Sequence, residues 1–452
     1  MKKNGIFKLA FAFRLCLFIS LVGGCGSGGG GGSSSPSDGG STPPPTPPTV
    51  YQVHGLNFSP FEGSQDPNKG AVVTADQIER RMRIIAPYTK WVRTFGCTNG
   101  MENAGRIAHS LQLKAALGAW ISANLAANDV ELQNLIREAK SGNVDLAIIG
   151  SEVLLRGDLA PAALIAYIRR FRAEVPNVPV ATADVYSSLL GNPEVMAESD
   201  LILANFYPYW EGVDVNAAMA RVHARYERVL AVSGGKEVIV SETGWPSGGN
   251  TVGDAVPSLE NAAFFFKNFI SWARIKEVKY FYFEAFDELW KAAYEGPQGA
   301  HWGVWDKDGT LKPGMQEVFD GQTMDDNWTC KDIPGGTGTA AIEFASVPPI
   351  GSFENLRGQV WHVVPGDYGV AVYIKVSGGW WTKPYFATPV TEINCDGSWT
   401  CDITTGGTDQ LATDVAAFLI PSTYSPPLAV SLASLPAELY TNSLANIEVA
   451  RN

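Results

Sequence analysis

Histidine is scarce in this chain, and charge of either sign is thin. Among 452 residues there are five His, and only 18% are Asp, Glu, Lys or Arg. The five His are scattered, with no H-x-x-x-H pair, no Cys/His cluster and no Asp-rich calcium loop, so neither a catalytic metal nor any other cofactor is expected. A G-x-S-x-G turn is absent too, which leaves a serine nucleophile without support. Basic residues number 34 against 46 acids, for a net charge of -12. A chain so acidic cannot neutralise a phosphate backbone, and nucleic acid is not expected as a partner.

Aromatic residues, by contrast, make up 11% of the chain and include 13 Trp. Several of these stand beside Gly, Pro or acids rather than inside apolar runs. Carbohydrate sites use flat aromatic faces in this way, with core packing as the commoner alternative.

The start, "MKKNGIFKLAFAFRLCLFISLVGGC", has basic residues, a short apolar stretch and then small residues. It is expected to be a signal peptide over residues 1–24. Leu21-Val22-Gly23-Gly24-Cys25 resembles a bacterial lipobox, which implies lipidation of Cys25 and, with Gly26 following, outer-membrane sorting. Ordinary secretion is the alternative. Residues 25–49 are Gly, Ser and Pro-rich and are expected to form a linker of roughly 40 Å reach. No other membrane attachment is expected, and the protein is expected to be a monomer.

From residue 50 to about 325, short β-branched or aromatic runs alternate with amphipathic stretches of helical period. Eight strand candidates occur, from "VHGLNFSP" through "VDLAIIGSEV" and "EVIVSETGWP" to "VKYFYFEAFDE". Eight such units predict a (β/α)8 barrel. An open doubly wound sheet is the competing topology, yet no strand candidate is followed by the glycine fingerprint of a nucleotide site. Polar groups fall at the carboxyl ends of most candidates: Asn57, Arg93, Trp120, Glu152, Asp184, Asn205 with Tyr207, Glu242, and Glu284 with Glu288. A barrel gathers those ends around one mouth.

Glu152 ends the fourth candidate and Glu242 the seventh, so ring closure would set two acids facing each other. Such a pair suits cleavage of a glycosidic bond, one carboxyl protonating the leaving oxygen while the other attacks the anomeric carbon. The structural alternative is that each acid pairs with an arginine such as Arg93 or Arg156.

Over residues 51–322 the chain resembles glycoside hydrolase family 17, the β-1,3-glucanase family of retaining barrels. The resemblance is carried by "SETGWPS", which places the family's nucleophile on Glu242, and by "GSEV", which places its acid/base on Glu152. It extends to Glu288 and Lys291 in "FDELWK" and to Tyr207 in "NFYPYW". By resemblance, Glu288 and Lys291 tune the charge set and bind sugar hydroxyls, and the Tyr207 phenol holds Glu242. Expected substrate-binding residues are completed by Glu284, Asn57 on the floor, Ser151, and the platform candidates Trp245, Trp210, Trp302 and Trp290. Arg93 is expected to be a structural charge partner. The family has Asn where this chain has Ser151, and the shorter hydroxyl cannot offer an amide's donors and carbonyl. The implied activity is retaining hydrolysis of β-1,3-glucan with two glutamates, with transglycosylation open. A glucan-binding protein on a weakened barrel is the alternative, motivated by Ser151.

Residues 326–452 lose helical period and carry short strand candidates at sandwich-like spacing, so a small all-β accessory domain is expected. Trp380 and Trp381 with Lys383 are either a sugar-binding face or edge packing. Cys395 and Cys401 flank the turn "DGSWT" and are expected to pair, with Cys97 and Cys330 free.

Overall fold

The computed structural model describes residues 50–325, 328–386 and 388–452. The expected leader, the lipidated Cys25 and the linker lie outside the described residues. Seven parallel strands form one sheet in sequential order: β1 Val53–Asn57, β2 Thr89–Arg93, β3 Lys114–Ala119, β4 Leu146–Ser151, β5 Val180–Val185, β6 Ile202–Asn205 and β7 Val238–Glu242.

The eighth candidate does not form a regular strand, yet residues 279–283 run between β7 and β1. Tyr280 bridges Val240, and Tyr282 bridges Leu56. The backbone bonds Phe281 N to Val240 O (2.8 Å) and Tyr282 N to Gly55 O (2.9 Å) close the ring on both sides. The approach at Gly55 is close: a Cβ there would stand 2.6 Å from the Phe281 ring and 2.9 Å from Tyr280 O, so glycine is required.

Inside the ring, Ala116, Leu146, Ile148, Ala181, Ala183, Leu203, Ile239 and Phe281 form a filled core. Period-two alternation sends the intervening side chains outward under the helices, as a packed barrel requires. The helices of this shell are α1 Ala75–Ile85, α2 Ala104–Ser110, α3 Leu125–Lys140, α4 Val153–Arg156, α5 Pro161–Glu174, α6 Tyr186–Gly191, α7 Pro193–Glu198, α8 Val215–Ala231 and α9 Leu259–Ile275. Their starts follow from side-chain caps: Thr74 Oγ1 accepts from Gln77 N, Asn124 Oδ1 from Ala127 N, and Ser258 Oγ from Asn261 N. In α1 the buried residues Ile78, Met82 and Ile85 recur at helical spacing; in α9 they are Phe265, Phe266, Phe269 and Trp272.

The carboxyl-terminal region is all β, in two sheets. The larger contains β10 Tyr368–Val376, β11 Gly379–Lys383, β14 Asp414–Pro421, β15 Val430–Leu432 and β16 Ala445–Ala450, with β12 Val390–Thr391 paired to β10; the smaller contains β8 Ala341–Ser346, β9 Leu356–Trp361 and β13 Ser398–Cys401. Val370, Val372 and Ile374 meet Leu356, Val360 and Trp399 between the sheets. On the other face, Ala371, Tyr373 and Trp380 pack beneath Leu435 and Leu439. Trp380 is thus a core residue rather than a sugar face, and Lys383 is turned into a pair with Asp409.

The expected Cys395–Cys401 pairing is overturned. Cys395 is bonded to Cys330, with Cα atoms 5.0 Å apart, and Cys401 is a free, buried thiol. Strand alternation is the reason: Trp399 and Cys401 both face the sandwich core from β13, which carries Cys401 away from the turn where Cys395 lies. Cys330, expected to be free, supplies the bond. Cys97 is free and buried. Beside the disulfide, Glu392 reaches three arginines of α8: Arg228 at 2.9 Å, Arg225 at 3.3 Å and Arg221 at 3.4 Å. Among the described residues, no helix is long and apolar enough to cross a membrane.

Candidate active site

The carboxyl ends of β4 and β7 deliver their two acids into one hydrogen-bonded network. Glu242, the last residue of β7, is 5% exposed. Its Oε1 accepts from Arg93 at 2.7 Å and from Ser151 Oγ at 2.9 Å, while Oε2 accepts from the Tyr207 phenol at 2.9 Å. Arg93 comes from the end of β2 and is itself fully buried. It also donates to Asn57 Oδ1 at 2.7 Å and to Ser151 Oγ at 3.0 Å. Asn57 is in turn tied through its Nδ2 to the Ser241 and Phe281 carbonyls at 3.2 and 2.9 Å. Arg93 is the structural charge partner that its strand-end position suggested, and its charge falls on Glu242.

Glu152 is presented differently. It follows β4 in the left-handed conformation, with φ +57°, after a register shift in the β4–β5 ladder. Its Oε1 accepts from Asn205 Nδ2 at 3.0 Å, and Asn205 is oriented by Ser241 Oγ at 2.5 Å. Burial, then the negative charge of Glu242, push the Glu152 carboxyl up to about 8; the Asn205 hydrogen bond pulls the other way. The same causes, burial and then Glu242, hold the Tyr207 phenol well above its usual range.

A second ionic group flanks this pair. Lys291 is buried between Glu284 and Glu288, bonded to the first and 2.7 Å from the second. Burial alone would lower the Lys291 ammonium, but the charges of Glu284 and Glu288 outweigh it and raise it. Glu288 also suffers burial, yet Lys291, Ser59 at 2.5 Å and Trp290 Nε1 at 3.0 Å bring it below its usual value. Glu295, not singled out from sequence, is lifted to about 7 by burial.

The platform tryptophans divide. Trp245 is 1% exposed, its Nε1 is bonded to Val256 O at 3.0 Å, and its ring packs on Tyr209 and Phe265. It cannot offer a face to a sugar, because the turn after Thr243 aims it outward beneath the helical shell. Trp302 is 2% exposed and serves as a wall behind Tyr207, with ring centres 5.5 Å apart. Trp210 and Trp290 keep half-buried faces.

Arg93, Asn57, Ser151, Tyr207, Glu152 and Glu242 thus converge, with Glu284, Glu288 and Lys291 in a joined acid and lysine cluster. Asn205, Ser59 and Glu295 were missed as site residues. For Asn205 the signal was present, since it is the polar end of an apolar strand. Among the described residues, no group of three His, Cys, Asp or Glu is placed to hold a metal ion.

Residues 55–303 match the family described as the BtgE/BtgC glycoside hydrolase domain. A glucan 1,3-beta-glucosidase of Candida albicans is 29% identical over 269 residues, covering 54% of this chain and 87% of the relative. One from Schizosaccharomyces pombe is 35% identical over 228 residues, covering 46% and 71%. Among solved structures, a glycoside hydrolase family 17 beta-1,3-glucanosyltransferase from Rhizomucor miehei matches with TM-score 0.53 at 33% identity, over 58% of this chain and 96% of that one. An endo-laminarinase from Formosa, 18% identical with TM-score 0.52 over 60% and 88%, shares the fold. The barrel carrying Glu152 and Glu242 therefore belongs to the BtgE/BtgC glycoside hydrolase domain family, within glycoside hydrolase family 17.

Proposed function

We propose that the protein cleaves β-1,3-linked glucan by double displacement, with Glu242 as nucleophile and Glu152 as acid/base. The glucan 1,3-beta-glucosidases and the beta-1,3-glucanosyltransferase among its relatives support the substrate class and leave hydrolysis and transfer both open. The observation that carries the assignment is the contrast between the two acids. Glu242 is met by a guanidinium, a hydroxyl and a phenol, while Glu152 receives one amide and is lifted to about 8. Environments that push two carboxyls apart assign one to donate a proton and the other to attack.

In the first step a Glu242 oxygen forms a bond to the anomeric carbon as the glycosidic C–O bond breaks, and the proton on Glu152 passes to the leaving oxygen. In the second step Glu152, now a carboxylate, takes a proton from water or from a sugar hydroxyl. That oxygen attacks the anomeric carbon, and the ester to Glu242 breaks. Tyr207 and Arg93 orient the attacking carboxylate. Ser151 supplies a hydrogen bond to Glu242, so the shorter side chain still serves the nucleophile. Glu288, Lys291 and the half-buried faces of Trp210 and Trp290 line the sugar path in this reading.

The test is the product profile on β-1,3, β-1,4 and β-1,6 gluco-oligosaccharides for the native protein and for Glu242→Gln. Release or transfer of glucose units from the β-1,3 series alone, lost in the variant, supports the proposal; an unaltered Glu242→Gln profile removes it.

Export is part of the same proposal, and the Cys330–Cys395 disulfide supports an oxidising compartment. The lipobox-like Leu21–Cys25 stretch supports a lipid anchor on Cys25. Metabolic labelling with a fatty acid, lost in Cys25→Ser, checks it.

A further inference from the structure

Asp184 is a buried carboxylate next to the acid/base turn that the double-displacement scheme leaves without work. It stands at the end of β5 and is fully buried. Its Oδ2 accepts from Leu154 N at 2.8 Å and its Oδ1 from Val185 N at 2.9 Å. Leu154 is the second residue of α4, the short helix that starts immediately after Glu152. The residue preceding a helix commonly caps it with its own side chain, but Glu152 makes no such cap bond. Had it done so, its carboxyl would be folded back on the helix and withdrawn from Asn205.

We propose that Asp184 is a positioning residue for Glu152: by capping α4 from the neighbouring strand, it leaves the Glu152 carboxyl free to face the cleft. The proposal rests on Glu152 being the acid/base. The backbone around Glu152 needs such support. A non-glycine residue at φ +57° sits in a sparsely occupied region, and Gly150 at φ +79° precedes it. Glu152 N bonds across to Ala183 O at 2.8 Å, and Arg156 N returns to Glu152 O at 3.0 Å. With Leu154 N on Asp184, the turn is thus tied to β5 on both sides of Glu152.

The charges around Glu152 come from Glu242 on β7, Asp184 on β5, Arg156 on α4 and, when ionised, Tyr207 after β6; Asn205 is its neutral contact. Asp184 is itself raised by burial to about 6, against hydrogen bonds that lower it. Between about 6 and about 8, therefore, an ionised Asp184 stands beside a protonated Glu152.

The test compares two substrates in the full chain. A laminari-oligosaccharide has a sugar leaving group that needs a proton; 2,4-dinitrophenyl β-laminaribioside has one that does not. For Asp184→Asn, kcat/KM is expected to fall by about 10²-fold on the first and by less than about threefold on the second, since proton donation contributes about 10² to 10⁴. Loss of a neighbouring negative charge is also expected to move the alkaline limb of kcat/KM to lower pH. Equal losses on both substrates with an unmoved limb, or no loss on either, overturn the proposal. If circular dichroism shows Asp184→Asn unfolded, Ser188→Ala removes one hydroxyl bond to Asp184 and should give the same selective loss in weaker form; a loss without selectivity overturns it. Glu152→Gln, run alongside, separates the two readings. Full activity there on laminari-oligosaccharide discards the acid/base assignment itself, whereas a selective loss there without one in Asp184→Asn discards only Asp184.

Discussion

The Arg93 guanidinium lies 2.7 Å from Glu242 Oε1, and both side chains are buried at the mouth of the barrel. The sequence posed ion pairing and catalysis as alternatives for a strand-end acid; the ion pair is present, and the proposed attack by Glu242 starts from that paired carboxylate. Removing one member of a buried pair leaves the other charge uncompensated. Arg93→Met is therefore expected to lose about 3 to 5 kcal/mol of stability, together with most activity. Denaturant titration and initial rates check it. A variant of native stability would show that Glu242 is not left uncompensated when Arg93 is removed.

Glu152 must keep its proton to act as acid. With the carboxyl raised to about 8 by burial and by Glu242, kcat/KM is expected to fall as pH rises through about 8. In Glu242→Gln the like charge is gone, so Glu152 should titrate at lower pH, by carbon-13 NMR of a labelled glutamate. The sign is fixed, because a neighbouring negative charge disfavours ionisation.

Glu392 gives a stability prediction of opposite sense. Burial alone would raise its carboxyl, but Arg225, Arg228 and Arg221 outweigh burial and lower it to about 2, from an ordinary 4.5. A depressed folded-state value contributes stability that is complete above about 4.5 and is lost as pH falls toward about 2. Glu392→Gln should cost on the order of 3 kcal/mol at neutral pH, at about 1.4 kcal/mol per pH unit. Melting curves of the two proteins should converge near pH 2.

The disulfide closes a separation of 65 residues. Cys330→Ser with Cys395→Ser should lower stability by about 2 to 4 kcal/mol. Cys401 behaves differently: burial lifts its thiol to about 12. Cys97 and Cys401 should resist a thiol reagent until the chain is denatured.

Trp245 and Trp210 should separate by readout. Trp245→Ala removes a fully buried indole and is expected to cost about 3 to 5 kcal/mol in stability. Trp210→Ala removes a half-buried face and should act mainly on KM for oligosaccharides.

The eight-unit pattern and the strand-end positions of Glu152 and Glu242 were legible because each depends on local order, whereas Lys291 beside Glu288 was singled out only through the family resemblance. Alternation and helical spacing locate strand ends, and strand ends in a barrel share one mouth. Asn205 as the partner of Glu152, the cap that Asp184 gives to α4, and the Cys330–Cys395 bond were not legible. Each joins segments whose approach is set by the register of neighbouring strands. Side chains alternate between the two faces of a strand, and it is this alternation that turns Cys401 into the core beside Trp399.

By itself the sequence determined which residues end strands, and hence that Glu152 and Glu242 would meet at one mouth. Only the closed tertiary structure decided their surroundings: Arg93, Ser151 and Tyr207 around one, Asn205 beside the other. The physical reason is that a carboxyl's readiness to hold a proton depends on burial and on charges brought near by folding, and these neighbours lie far apart along the chain.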